Sequence, residues 1–191
     1  MIAVAACDVN EVSAAILRAP ASIGQSKLVT IDGHAGAGKT TLASAIQISL
    51  AGKLSCAIIH LDDLYEGWND PLGDHLTQTF RNQVLPGIAT GGSYFLPCYD
   101  WVADAPGAPT EYEFSEVVII EGVGAGQRIN RPWTAISVWL AIAPQIGLER
   151  VLARDGSALE PAMERFFYHQ QAHFLKEGSE VVADYRISGA P

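Results

Sequence analysis

Apolar residues occur along this chain in two arrangements, as short continuous runs and as longer stretches with helical spacing. The short runs predict buried strands over 28–32, 57–62, 117–120, 136–142 and 181–187. The helical spacing predicts helices over 9–19, 40–50, 74–85, 144–155 and 161–177, and the Gly, Pro and aromatic residues of 86–112 predict loop or hairpin. Strands that alternate with helices predict an α/β fold, with a parallel sheet covered on both faces.

Polar residues that end strands are the first candidates for a site, because parallel sheets bind ligands beyond the carboxyl ends of their strands. Asp32, Asp62 and Glu121 are such residues. Asp32 is followed at 33–40 by GHAGAGKT, which satisfies the pattern G-x-x-x-x-G-K-[ST]. In this pattern backbone N–H groups surround a phosphate, the lysine binds the β- and γ-phosphates, and the threonine hydroxyl binds Mg²⁺.

The alternative for residues 33–40 is a glycine turn with an exposed lysine, but three glycines in six residues would then cost backbone entropy without return. We therefore predict a phosphate-binding loop, to which His34 contributes its backbone while its imidazole faces away from the phosphates. The expected nucleotide contacts are Gly33, His34, Ala35, Gly36, Ala37, Gly38, Lys39, Thr40 and Thr41.

Composition limits the partners of this loop. The 191 residues suit one domain, 1–191, whose residues 1–27 form an N-terminal helix and lead-in. Twelve Lys and Arg against 21 Asp and Glu give a net charge of −9, which argues against long nucleic acids and against a basic membrane-surface helix. Cys7, Cys56 and Cys98 form neither a disulfide framework nor a zinc site, and no signal peptide or membrane-spanning run is seen, so we expect a cytoplasmic protein.

Other nucleotide-binding classes lack support in the sequence. It has no Asn-Lys-x-Asp motif of a GTPase, no Leu-Ser-Gly-Gly-Gln motif of a transporter, and too few residues for a ring ATPase. A small phosphotransferase with a mobile lid remains. In such an enzyme Asp62 would orient a hydroxyl and take its proton, Glu121 would lie near Mg²⁺, and Arg150 and Arg154, on one helix face, would stabilise the transferring phosphoryl group.

Each of these residues also has a structural interpretation. Asp62 could cap a loop or helix, and Glu121 could be a hydrogen-bond acceptor at a strand end. The two arginines could form a solvated face that pairs with Glu149 or Asp155. We favour the functional interpretation because all of these residues fall at the ligand edge of one predicted sheet.

An ordered set of motifs resembles the uridine kinase and phosphoribulokinase group of P-loop kinases. The matching segments are IDG at 31–33, GKTT at 38–41, DDLY at 62–65, YDW at 99–101, EG at 121–122, Arg150 with Arg154-Asp155, and ADYRISG at 183–189. The resemblance implies a three-layer P-loop NTPase fold with a five-stranded parallel sheet in the order 2-3-1-4-5. It also implies ATP and Mg²⁺, Asp62 as the catalytic base, and a lid at about 150–165 that carries the arginines.

The same resemblance places the acceptor near Asp62, Tyr65, Tyr99 and Trp101. Uridine kinases carry a His three residues beyond their Tyr-Asp-Phe, whereas this chain has Trp101 in place of the Phe and no His at 103–104. Phosphotransfer therefore follows from the resemblance, and pyrimidine recognition does not. The remaining tryptophans are interpreted as packing residues.

Several alternatives stay open on the sequence alone. The acceptor could be a nucleoside, a nucleoside monophosphate, a sugar or a cofactor precursor. A nucleotide-binding regulatory or assembly module with little transfer activity is the alternative from a different class. The sequence does not say whether the chain forms a homo-oligomer, or whether the helix over 9–19 packs on its own core or on a partner.

Overall fold

Five parallel strands form the main sheet of the protein, which a computed structural model describes over residues 9–188. Cys7 and Gly189 of the sequence analysis lie outside the described residues. The strands are β1 (Lys27–Gly33), β2 (Cys56–His60), β3 (Tyr94–Leu96), β4 (Tyr99–Asp100), β5 (Ala105–Pro106), β6 (Thr110–Tyr112), β7 (Val117–Glu121), β8 (Thr134–Ala141) and β9 (Tyr185–Ser188). The helices are α1 (Val9–Arg18), α2 (Lys39–Leu50), α3 (Asp74–Thr79), α4 (Leu85–Thr90), α5 (Pro144–Asp155), α6 (Glu160–Glu177) and α7 (Ser179–Val182).

The order of the strands across the main sheet is β2-β7-β1-β8-β9. All four neighbouring pairs are parallel, which confirms the predicted α/β architecture. The expected order 2-3-1-4-5 needs correction in its numbering, because four short strands lie between β2 and β7 in the chain. These four strands form two antiparallel pairs outside the main sheet, β3 with β6 and β4 with β5.

Alternate residues of β7 point into two separate apolar layers, as the strand period of two requires. On one face, Val117 and Ile119 pack with α1 and α2, where Val12 and Ile16 are fully buried. The N-terminal helix therefore packs on its own core, a point that the sequence left open. On the other face, Val118 packs in a cluster with side chains of α3, α4 and α6. Within residues 9–188, no helix combines the length and apolar character needed to cross a membrane.

Two predicted elements differ from the structure. The helix expected to end at residue 85 continues through a π-helical turn at Phe80–Val84 into Leu85–Thr90. A π turn relieves the clash and the missing N–H that Pro86 would impose on a regular α-helix. The predicted last strand, 181–187, is wrong in its first half, because Val181 is helical and 83% exposed and the strand begins at Tyr185.

Candidate active site

The phosphate-binding loop connects the end of β1 to the start of α2, as the motif predicts. Gly38, the residue before α2, has φ 93°, and a Cβ there would meet no atom within 4 Å. Gly36 has φ 76° and approaches another segment so closely that a Cβ would lie 2.3 Å from the carbonyl oxygen of Gly147 in α5. Glycine is required at both positions by the left-handed backbone, and at Gly36 also by the contact with α5.

Lys39 is held within the loop by the loop's own carbonyl groups. Its Nζ donates to the carbonyl oxygens of Gly33, at 3.0 Å, and His34, at 2.9 Å. Burial lowers the pKa of Lys39, while Asp62 and other nearby carboxylates oppose that change. An ammonium that is buried and satisfied only by backbone carbonyls would gain from an anionic phosphate at the same place.

The other residues of the predicted loop differ in how far their side chains are buried. The imidazole of His34 packs edge-on against Trp139 and Phe174, at ring-centre distances of 5.7 and 5.2 Å, rather than projecting from the loop. Ala37 is buried in the core, whereas Thr41 is exposed in the first turn of α2.

The loop is also held from outside by α6. The buried Gln170 accepts a hydrogen bond from the backbone N–H of Ala35 at 2.8 Å. Sequence analysis missed this contact, because no motif links residues 135 positions apart. Only the packing of α6 against the loop brings the two residues together.

Thr40 and Glu121 meet across the sheet edge. The hydroxyl of Thr40 donates to Oε1 of Glu121 at 2.9 Å, and Nδ1 of His60 lies 2.6 Å from the same oxygen. A hydroxyl and a carboxylate are hard oxygen ligands, the type that Mg²⁺ prefers, so these two residues fit the predicted metal site. The hydrogen bond to Glu121 raises the pKa of His60, which sequence analysis did not single out.

Asp62 lies in the short 3₁₀ helix Leu61–Asp63 that follows β2. Its charge interacts with those of Lys39, Glu121 and Arg154, which places it among the predicted phosphate-handling groups. Although the side chain keeps contact with solvent, its crowded surroundings raise the pKa of Asp62, and the Lys39 ammonium opposes that rise.

Asp32, the third acidic residue at a strand end, binds backbone N–H groups of neighbouring loops. Its Oδ1 accepts the N–H groups of Gly33 and Gly124, and its Oδ2 accepts that of Gly126. Asp32 is 2% exposed and fully engaged by backbone donors. It thereby ties the loop after β7 to the end of β1 and holds Glu121 and the phosphate-binding loop in register.

Three aromatic side chains form a group that contacts Asp62 through Trp101. The indole N–H of Trp101 donates to the backbone carbonyl of Asp62 at 2.9 Å, and the ring centre of Trp101 is 5.1 Å from that of Tyr99. Trp68, which was interpreted as a packing residue, lies 4.8 Å from Trp101 and belongs to the same group. We call Trp68, Tyr99 and Trp101 the aromatic cluster.

Tyr65 does not join this cluster. It is 2% exposed, its ring packs near Phe166, and its hydroxyl donates to the carbonyl of Val123 at 2.8 Å. The structure thus places Tyr65 in the core behind Asp62, where it supports the loop after β7, and not on a surface open to an acceptor. Its side chain packs in the same apolar cluster as Ile59 and Leu61, so the acceptor contact that the resemblance implied for Tyr65 is replaced by a contact with the core.

The two predicted arginines lie on α5, whose first turns contact the phosphate-binding loop through Gly147. Arg154 forms a bidentate ion pair with Asp155, in which both N···O distances are 2.7 Å. The Arg154 side chain is 69% exposed. Its charge still interacts with those of Asp62 and Glu121. Arg150 is half-buried one turn earlier. The predicted lid, about 150–165, contains the end of α5, the 3₁₀ turn Ser157–Leu159 and the start of α6.

Solved structures with the same fold are found by structural comparison. A possible uridine kinase from Bacillus stearothermophilus has a TM-score of 0.69 and 18% identity, over 94% of this chain and 96% of its own. The chain has the fold of P-loop kinases. A candidate fructose transport system kinase from a Silicibacter species reaches a TM-score of 0.74 at 17% identity, over 95% of this chain and 99% of its own.

A more distant structure extends the same likeness. The D-glycerate 3-kinase of Cryptococcus neoformans has a TM-score of 0.60 and 14% identity, over 91% of this chain and 89% of its own. No family model matches the sequence, and no curated protein matches it either. The P-loop kinase fold is thus visible in the tertiary structure.

Proposed function

We propose that the protein is a kinase that transfers the γ-phosphate of ATP to a hydroxyl group of a small molecule. The observation that carries this proposal is the position of Asp62. The Asp62 carboxylate, whose pKa is raised, is near enough to the lysine of the phosphate-binding loop for the two charges to interact. The charges of Arg154 and Glu121 also act on Asp62. A module that only binds nucleotide has no need of a base there, whereas a kinase needs one.

The phosphate-binding loop would hold the β- and γ-phosphates by its N–H groups and by Lys39. For that, the Lys39 ammonium must exchange at least one of its two carbonyl partners for phosphate oxygen. Thr40 and Glu121 would hold Mg²⁺, which when bound neutralises charge on the β- and γ-phosphates. Because the N-terminus of α2 carries a partial positive charge, it adds to the attraction.

Asp62 would perform the proton transfer. Its carboxylate accepts the proton of the acceptor hydroxyl as the oxygen forms a bond to the γ-phosphorus, and the bond from that phosphorus to the bridging oxygen breaks to release ADP. The crowded surroundings that raise the pKa of Asp62 make its carboxylate a stronger base than an ordinary aspartate. Arg154 would leave Asp155 and approach the transferring group, whose charge it would stabilise.

The aromatic cluster would form one wall of the acceptor site, since Trp101 bonds directly to the backbone of Asp62. The Tyr99 hydroxyl donates a hydrogen bond to Asp104 at 2.7 Å. This bond and the nearby charge of Glu66 raise the pKa of Tyr99. Acidic neighbours repel a phosphorylated acceptor. We therefore favour an uncharged acceptor with a flat or apolar face, such as a nucleoside or a sugar, over a nucleoside monophosphate.

An ADP-release assay across hydroxylated metabolites tests this proposal. We expect stimulation by at least one uncharged nucleoside or sugar, and none by the matching monophosphate. Asp62→Asn should reduce that turnover by about 10²–10⁴-fold and leave ATP affinity largely intact. Asp74→Asn is the control, because Asp74 is likewise an exposed aspartate in a helical segment. Its charge is not among those that act on Asp62 in the part of the chain that the structure describes.

Two outcomes would contradict the proposal. If no acceptor stimulates ADP release although ATP binds tightly, the protein is a nucleotide-binding module. If Asp62→Asn abolishes ATP binding, Asp62 belongs to the nucleotide site and is not the base.

A further inference from the structure

His60 is outside every motif that predicted the active site, yet it contacts one of the predicted metal ligands. It ends β2 and is in register with Glu121, which ends the neighbouring parallel strand β7. Residues paired in this way point to the same face of a sheet. The resulting distance from Nδ1 of His60 to Oε1 of Glu121 is 2.6 Å.

The hydrogen bonds to Glu121 are unevenly distributed over its two oxygens. Among the described residues, the Thr40 hydroxyl and the His60 ring both contact Oε1. The carboxylate itself is buried, whereas the side chain of His60 is 40% exposed and reaches Glu121 from the solvent side. Two partners on one oxygen restrict rotation of the carboxyl group and leave Oε2 available to another ligand.

We propose that His60 is a positioning residue for the Mg²⁺ site. Its Nδ1–H donates to Oε1 of Glu121 and holds the carboxylate ready for the metal, while Thr40 can exchange its own bond to Oε1 for a bond to Mg²⁺. This role requires only the neutral imidazole with its proton on Nδ1. The inference rests on the proposed function for the presence of Mg²⁺ with nucleotide, but not on the identity of the acceptor.

Outer partners of a metal ligand commonly change metal affinity by about 10–100-fold when they are removed. His60→Ala should therefore weaken Mg²⁺ binding to the ADP-bound protein by roughly that factor. ADP binding without Mg²⁺ should stay unchanged, because within residues 9–188 the His60 ring bonds to Glu121 and to no residue of the phosphate-binding loop. Isothermal titration calorimetry measures both constants, and neither depends on turnover.

Conservative variants separate a hydrogen bond from a general structural effect. His60→Asn places an amide N–H close to the position of Nδ1, and we expect Mg²⁺ affinity within about threefold of the wild-type value, a small part of that outer-partner effect. His60→Gln places its amide one bond further out, so it should bind Mg²⁺ as weakly as the Ala variant. His75→Ala is the control, because His75 is similarly exposed and pairs instead with Glu66, at 2.9 Å.

Unchanged Mg²⁺ affinity in His60→Ala would overturn the proposal. So would a failure of His60→Asn to restore binding, or an equal loss of ADP affinity with and without Mg²⁺. Failure of the proposed function would look different. In that case ADP and Mg²⁺ would bind with the predicted dependence on His60, but no acceptor would be phosphorylated.

Discussion

A glycine in α5 offers a sharp test of how the arginine-bearing helix is packed. In Gly147→Ala, the new Cβ would lie 2.4 Å from the carbonyl oxygen of Ala35 in the phosphate-binding loop, about 1 Å closer than ordinary contact at 3.4 Å. The Ala35 carbonyl is a backbone group and the new Cβ is fixed to the helix backbone, so neither can rotate away as a flexible side chain would. The loop and α5 must instead move apart.

The sign of the stability change follows from two opposing effects. Alanine favours a helix over glycine by up to about 1 kcal/mol, and Gly147 has an ordinary helical backbone, so helix propensity alone predicts a more stable protein. Overpacking costs about 1–3 kcal/mol. We therefore expect a net loss of up to about 2 kcal/mol, which lowers the melting temperature by up to roughly 8 °C in a domain of this size.

The displacement should also weaken ADP binding, because the Ala35 carbonyl that must move belongs to the phosphate-binding loop. Thermal unfolding and calorimetric titration with ADP measure the two effects on the same sample. Gly92→Ala is the control, because Gly92 has an ordinary φ and a Cβ there would meet no atom within 4 Å. It should leave both measurements nearly unchanged. The packing argument is refuted if Gly147→Ala melts at or above the wild-type temperature and binds ADP equally well.

Three further predictions concern charge and pH. Turnover should fall with decreasing pH at a pH above the ordinary carboxyl pKa of 3.8, because Asp62 must be deprotonated and its pKa is raised. Asp62→Asn should remove that limb of the pH–rate profile, and a limb that persists in the variant would assign the ionisation to another group. Asp155→Asn removes the ion-pair partner of Arg154. ATP affinity measured by calorimetry should then rise by up to about fivefold, which corresponds to the free energy of an exposed ion pair. A loss of affinity would show that Asp155 positions the arginine. Burial raises the pKa values of Tyr94 and Tyr112 to about 12 in the folded state, against an ordinary value of 10. These two tyrosines should therefore leave the free energy of unfolding unchanged below pH 10 and lower it between pH 10 and 12. Urea titrations of the wild type and of Tyr94→Phe measure this loss, and an equal loss in both proteins would exclude Tyr94 as a source.

Much of the fold was predictable because its signals are local. Four of the five strands of the main sheet contain a short apolar run, and the helices over 144–155 and 161–177 match α5 and α6 to within one residue at either end. The exceptions are places where neighbours override local preference. A helix was expected to end at residue 85, but it continues through a π turn into Leu85–Thr90. Val181 looked like a buried strand residue, but the main sheet accepts a partner strand only from Tyr185 onwards.

The phosphate-binding loop was visible in the sequence for a similar reason, since its motif lies in eight consecutive residues. Asp62 and Glu121 could be singled out because the ends of parallel strands meet at one edge. The sequence could not distinguish which acids serve the backbone and which remain available. Asp32 and Asp62 look alike at the ends of their strands, yet three backbone N–H groups engage Asp32.

By itself, then, the sequence determined the periodic elements, the layered α/β architecture and the loop that would hold phosphate. These features depend on interactions between residues close together in the chain. Only the tertiary structure decided that Tyr65 is in the core, that Trp68 joins the aromatic cluster, and that Gln170 and His60 support the site. Those contacts join segments far apart in sequence, and their geometry depends on strand register and helix packing, which no local pattern encodes.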